Sequence, residues 1–145
     1  MTPFSDLSVV VVGQDDGKTI YLSYNGEPIA QQRPRARLVG KKGGSYKVIM
    51  YDPNQRAKKM LQTTIREELE MVGENLPVFS GAKVKVTIDF CLTNDNKDLD
   101  NMAKLVLDVL NALVYDDDVH VVQVLLSKTT TTSNPKTKVV IKLDN

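Results

Sequence analysis

From Thr19 to Tyr24 the chain alternates Ile20, Leu22 and Tyr24 with polar neighbours and then meets Asn25, Gly26 and Pro28, the pattern of a half-buried strand running into a turn. The segment Gln32 to Ser45 is basic and rich in Pro and Gly without apolar periodicity, which predicts an exposed loop, mobile when unliganded, ahead of a strand at Tyr46 to Met50. At Tyr51-Asp52-Pro53, Asp52 is placed to cap and Pro53 to take the first helical position. Ala57, Met60, Leu61, Thr64, Ile65, Leu69 and Val72 then recur at helical spacing, predicting a helix from about Pro53 to Val72. Beyond Gly73 and Pro77, Val84, Val86, Ile88, Phe90 and Leu92 alternate with polar positions, a strand with one buried face. A second helix starts near Asp98. Its broad apolar face includes Leu99, Met102, Val106 and Leu110, and its polar stripe is Asp100, Lys104, Asp108 and Asn111. Val119 to Leu126 reads as a mostly buried strand and Lys138 to Leu143 as the last one, while Val9 to Val12 suggests an extra strand within residues 1–17. The expected fold is α/β: a small mixed sheet with two main helices and no internal repeat.

A length of 145 residues with 41% hydrophobic content supports one core, so residues 1–145 are read as one domain. The single Cys91 has no partner for a disulfide, and there is no CxxC or Cys/His cluster for structural zinc. No apolar run approaches the roughly 20 residues of a membrane span, and the Val9 to Val12 stretch lacks the flanks of a signal peptide. An intracellular, cytoplasmic protein with no membrane partner is the expectation.

The net charge of +1 says little, but its distribution is uneven. Between Gln31 and Lys47 stand Arg33, Arg35, Arg37, Lys41, Lys42 and Lys47 with no acid among them. Between Asp95 and Asp118 the acids Asp95, Asp98, Asp100, Asp108, Asp116, Asp117 and Asp118 face only Lys97 and Lys104. Such a pairing suits a protein that grips phosphates at one place and holds cations at another. Two solvated surfaces of opposite sign would explain it as simply.

Asp98-Leu99-Asp100-Asn101-Met102-Ala103-Lys104, then Leu107-Asp108-Val109-Leu110-Asn111, then Tyr115-Asp116-Asp117-Asp118 is the most informative stretch. Adjacent like charges repel, and hard divalent cations such as Mg²⁺ take oxygen ligands from one or two carboxylates plus water and phosphate. Residues two apart on a helix point to nearly opposite sides, so Asp98 and Asp100 share a site only if Asp98 precedes the helix. Lys104 lies one turn beyond Asp100 on the same face. A helix ending near Asn111 is roughly 18 Å long, a distance that an extended Ala112 to Asp117 spans on its return. The ordinary alternative is that Asp98 and Asp100 cap the helix, Lys104 is their ion-pair partner, and Asp116 to Asp118 form a polar turn.

The pattern DLDNxxK, LDxLN and a tyrosine followed by an acid and the Asp117-Asp118 pair resembles the signature of RusA-type Holliday junction resolvases. So does Gly26-Glu27-Pro28-Ile29-Ala30-Gln31-Gln32-Arg33-Pro34-Arg35, which is similar to that family's GxPxxKxRPR element, and so does Tyr51-Asp52-Pro53. The likeness runs from about Ile20 to Lys128. It implies a homodimer that binds four-way DNA junctions and nicks two strands with Mg²⁺ or Mn²⁺. Position by position, it implies that Asp98, Asp100 and Asp118 are metal-binding aspartates, that Lys104 is the catalytic lysine, and that Asp117 is the first of the Asp pair and belongs to the metal set. There are three departures. Gln31 stands where the family usually has lysine, which removes a phosphate contact; Ala112 replaces the glycine of an Asn-Gly turn; His120 replaces a frequent glutamine, and a lone histidine there is more often a surface or hydrogen-bonding residue.

The reaction expected is phosphodiester hydrolysis, with Asp98, Asp100 and Asp118 as ligands and Lys104 on the phosphate or the attacking water. Arg33, Arg35, Arg37, Lys41 and Lys42 would hold DNA backbone, which gives affinity without sequence preference. The rival readings are a metal-dependent nuclease preferring flaps or forks, and a catalytically silent junction-binding module. Apolar residues Leu105 and Val109 and the Val119 to Leu126 strand offer surface for a second subunit, although core packing explains them at least as well.

Overall fold

In the computed structural model, which describes residues 6–14, 17–40 and 43–144, the chain runs β1 (Ser8–Gln14), β2 (Gly17–Asn25), β3 (Arg35–Gly40), β4 (Tyr46–Tyr51), α1 (Gln55–Met71), β5 (Val84–Leu92), α2 (Leu99–Leu110), a short 3-10 turn (Asp118–His120), β6 (Val121–Thr130) and β7 (Lys136–Leu143). Five strands form a mixed sheet in the order β1-β2-β7-β5-β6, in which only β5 and β6 are parallel. A parallel pair cannot be joined by a hairpin and needs a crossover. Helix α2 is that crossover, and it packs against β6, so the acidic stripe read from the sequence ends up beside the sheet's edge.

The register explains the core. Ile20 pairs with Ile141 and Ile141 with Val86; Leu22, Val139 and Ile88 form the next row, and Tyr24, Thr137 and Phe90 the third. All of these side chains are buried. Leu61, Ile65 and Leu69 of α1 and Met102, Val106 and Leu110 of α2 are buried with them. Each large aliphatic or aromatic side chain so buried contributes about 1.5–3 kcal/mol. Burial also pushes the Tyr24 hydroxyl up to about 12. The other sheet face stays open, with Val10, Tyr21 and Leu125 exposed on it.

The strand within the N-terminal 17 residues is present as β1. Elsewhere the structure corrects the reading. Residues 32–45 are not wholly loop, because Arg35–Gly40 pairs antiparallel with Tyr46–Tyr51 as a two-stranded ribbon. Its residues are nearly all exposed, so no buried face forces the alternation that marks a strand. Helix α1 starts at Gln55 rather than Pro53, because the Gln55 N–H donates to the Asp52 carbonyl in a turn (3.2 Å). Strand β6 is largely exposed instead of buried, since it lies at the edge of the sheet with one neighbour. Leu105 and Val109 are core residues, so they offer no surface to a second subunit.

The turn after α2 holds Ala112 at φ 66, a left-handed backbone that disfavours any residue with a Cβ. Its N–H donates to the Tyr115 carbonyl (2.8 Å), which fixes that conformation. Ala112→Gly should raise stability by roughly 0.5–1 kcal/mol, the left-handed penalty less the extra chain entropy of glycine. Thermal unfolding checks this; an unchanged or lowered midpoint would mean that the turn carries no such strain.

Candidate active site

Asp98 is the residue before α2 and is extended (φ −74, ψ 132), as sharing a site with Asp100 requires. It makes no side-chain capping bond to the helix; Asn101 Nδ2 donates to its Oδ2 at 3.4 Å. The carboxylate is thus not used up as a cap. Asp98, Asp100 and Lys104 line an open polar cleft whose far wall is Gln32, Arg33, Pro34 and Arg35. Lys104 is exposed and enters no ion pair among the described residues.

On its other side the same helix face borders a second depression, where Asp100, Lys104 and Asp108 meet Asp118 above Val124 and Leu126 of β6. The three consecutive aspartates have different jobs here. Asp116 accepts from the Gly81 N–H (2.6 Å) and Ser80 Oγ (3.4 Å), pinning the turn to the preceding loop. Asp117 accepts from the Asp118 N–H (2.7 Å) and caps the 3-10 turn. Asp118 is left facing the depression. Its contact with the Asp117 carboxylate, burial, and the charges of Asp117 and Asp108 hold its carboxyl above the usual range. Tyr115 beneath them is fully buried. Desolvation first, then the charges of Asp118, Asp108 and Asp117, push its phenol far up. His120 Nδ1 lies 3.3 Å from the Asp117 carbonyl oxygen.

The arm that carries the arginines is fastened by residues the sequence did not single out. Glu27 accepts from the backbone N–H (2.7 Å) and hydroxyl of Thr93, and the Thr93 hydroxyl bond chiefly holds its carboxyl low. Lys97 Nζ donates to the Pro28 carbonyl (2.6 Å), and the Gln31 N–H to the Asn101 carbonyl in α2 (2.9 Å). Gln31 Nε2 donates to Asp52 Oδ1 (2.9 Å), and Asn54 Oδ1 accepts from the Gln32 N–H (2.7 Å). Burial pushes the Asp52 carboxyl up, but Lys58, the Asn54 N–H and Gln31 together bring it below its ordinary value. Gln31 therefore braces the arm through its amide while lining the same cleft.

Arg33 is exposed and unpaired among the described residues. Arg35 donates to Gln32 Oε1 (2.8 Å), and the Arg37 guanidinium sits 5.7 Å from the Tyr51 ring centre. Lys41 and Lys42 lie outside the described residues. Asp108 stood in the sequence in the polar stripe, the acidic cluster and the LDxLN pattern but without a role of its own; the structure puts it at the depression and within 3.7 Å of Lys58 Nζ, which also holds Asp52 at 2.5 Å. Nothing local in the sequence signals that bridge.

Among the described residues no three carboxylates stand close enough together to enclose one ion. Mg²⁺, however, binds through one or two carboxylates, with water and substrate phosphate completing its shell. Oxygen donors on both sides of Asp100, and a carboxyl at Asp118 whose charge its neighbours resist, fit such a cation.

Among the described residues, acids and an unpaired lysine on one helix face thus lie opposite an arginine-bearing arm. The family model for endodeoxyribonuclease RusA matches residues 25–142, and the chain belongs to that family. It is accordingly an endonuclease that hydrolyses DNA phosphodiester bonds, and membership implies Holliday junctions as substrate. Curated proteins yield no match. Among the described residues no helix is long and apolar enough to cross a membrane.

Proposed function

We propose that the protein, as a single domain, resolves four-way DNA junctions in recombination and repair by Mg²⁺-dependent paired nicks, with Asp98, Asp100 and Asp118 as ion ligands. The observation that carries this reading is that Asp100 and Lys104 belong to both the arginine-walled cleft and the Asp118 depression. A backbone lying in the cleft would run past both. When bound, the ion lowers the pKa of a water and offsets charge on the scissile phosphate. Lys104 supplies a fixed positive charge for the phosphate oxygens. Asp117 keeps the Asp118 turn in shape through its cap. Arg33 and Arg35 hold the strand through phosphate contacts that carry no sequence information.

Labelled four-way, flap and linear duplex DNA, incubated with and without Mg²⁺, test the proposal. Symmetric nicks in the junction alone, and only with the ion, are expected; cleavage of flaps in preference would reassign the substrate. Replacing Arg33 and Arg35 together by Ala should weaken binding and flatten the dependence of log K on log salt by up to about 2 units. An unchanged slope would make them structural residues.

The active unit is a symmetric homodimer. Paired cuts of matching polarity call for two sites related by a twofold axis. Strand β6 supports this: it has ten residues, a free edge, and Val122 and Leu125 exposed on it, a template for pairing with a second copy. Sedimentation at micromolar concentration should give twice the chain mass; a monomer making paired nicks would refute the dimer.

A further inference from the structure

The β3–β4 ribbon has two chemically different faces. Directly paired residues share a face, so Arg35–Tyr51, Arg37–Ile49 and Val39–Lys47 line one side, and Ala36–Met50, Leu38–Val48 and Gly40–Tyr46 the other. The first side carries Arg35, Arg37 and Lys47 with no acid. The second carries no charge at all. Leu38, Tyr46, Val48 and Met50 are between 63% and 69% exposed there, and the ribbon packs extensively against no other strand or helix. At its tip a side chain on Gly40 would come within 2.6 Å of the Tyr46 ring and 2.8 Å of the Ser45 carbonyl. The ring therefore lies across the glycine, supported on one side and open on the other. The ribbon also grows directly from the wall of the cleft, because Arg35, its first residue, lines that cleft with Asp98 and Asp100.

We infer that the apolar face of the ribbon seats against base-pair faces exposed at a DNA branch point, while its basic face grips the phosphates of the adjoining arm. This rests on branched DNA being the substrate. Flat apolar surfaces within a few ångströms of a row of anions are what nucleic acid presents, and they match the two sides of this ribbon. A continuous duplex hides its base faces inside the stack, whereas a branch point uncovers them. Apolar side chains wedged against base steps are a known way to hold distorted DNA. The contact is then available only on a branched substrate, which gives discrimination by shape without reading sequence. A second copy of the chain on the same face would leave the three opposing cations, and the position beside the cleft, without a reason.

The test is the double variant Tyr46→Ser/Met50→Ser, both changes at exposed positions, in the full-length protein. Its affinity is measured for a four-way junction and for linear duplex, with a fluorescent adenine analogue at the branch, and its mass by sedimentation. Wild type should change the analogue's emission on binding as the ribbon stacks against it, and the variant should not. Junction affinity should fall roughly 10-fold, the scale of one lost aromatic–base stack, with duplex affinity changed less than about twofold. Equal losses on both DNAs, no loss on either, or a lowered mass that assigns the face to a second copy would overturn the inference. A junction-selective wild type with an equally selective variant removes only the ribbon's role. A wild type that binds junction no better than duplex removes the substrate reading, and this inference with it.

Discussion

Asp118→Asn should abolish junction cleavage while leaving the protein folded and still bound to DNA. The same is expected of Asp98→Asn and Asp100→Asn, with turnover falling by about 100- to 1,000-fold or more, the scale of losing one preorganised electrostatic group. Asp118 is the most telling of the three. Its carboxyl is held above the usual range by Asp117, burial and Asp108, so the ionised form is the one the fold disfavours. Neutral Asn removes that repulsion, and stability at neutral pH should therefore stay level or rise as activity disappears. A purely structural aspartate would behave in the opposite way. Cleavage assays with Mg²⁺, beside urea unfolding of the same samples, separate the two; retained cleavage in all three variants would sink the ligand assignment.

Tyr115→Ala should destabilise the protein by about 3–5 kcal/mol, as for other large buried aromatics, out of a total that is commonly 5–15 kcal/mol. The side chain is completely buried, and its hydroxyl donates to the Leu107 carbonyl at 2.6 Å. Leu107 is in the last turn of α2, where carbonyls lack a helical partner, and the Asn111 N–H goes to Asp108 instead. The tyrosine thus closes the end of the helix from below and fixes the start of the Asp116–Asp118 turn. Tyr115→Phe keeps the ring and isolates that hydrogen bond, which should cost about 1–3 kcal/mol by leaving the carbonyl unmet. Urea denaturation resolves both losses. If Phe and Ala variants unfolded at the same concentration, the packing half of this account would be wrong.

What the sequence made legible follows from the reach of each interaction. Helix α2 and strand β5 carry unbroken periodicities, and angular spacing required Asp98 to precede the helix if it was to share a site with Asp100, which is where it lies. The run Asp116-Asp117-Asp118 could be seen as unusual, but not divided into tether, cap and free carboxylate. That division depends on Gly81 and Ser80, 35 and 36 residues away. The bracing of the arm was hidden for the same reason, since Gln31 meets Asp52 across 21 residues and Glu27 meets Thr93 across 66. Strand β6 misled because a continuous apolar run looks alike whether one or both of its edges are covered. The likeness to a known family named the acidic residues; the geometry adds which groups each already meets, Asp100 Oδ1 accepting from the Asn101 N–H (3.0 Å) and Asp117 Oδ1 from the Asp118 N–H (2.7 Å).

Lys58 joins these two scales, since one ammonium touches both Asp52 under the arm and Asp108 at the depression. Were a lysine to replace Gln31, Asp52 would have two cations competing for it, and Lys58 would be free to turn toward Asp108. Positions 31, 52, 58 and 108 are thus linked through one ammonium and two carboxylates, so a change at one alters the charge the others meet. Transplanting lysine to position 31 alone would set two ammonium groups against the two carboxylates of Asp52 and Asp108, balancing a cluster that now holds one cation and two anions.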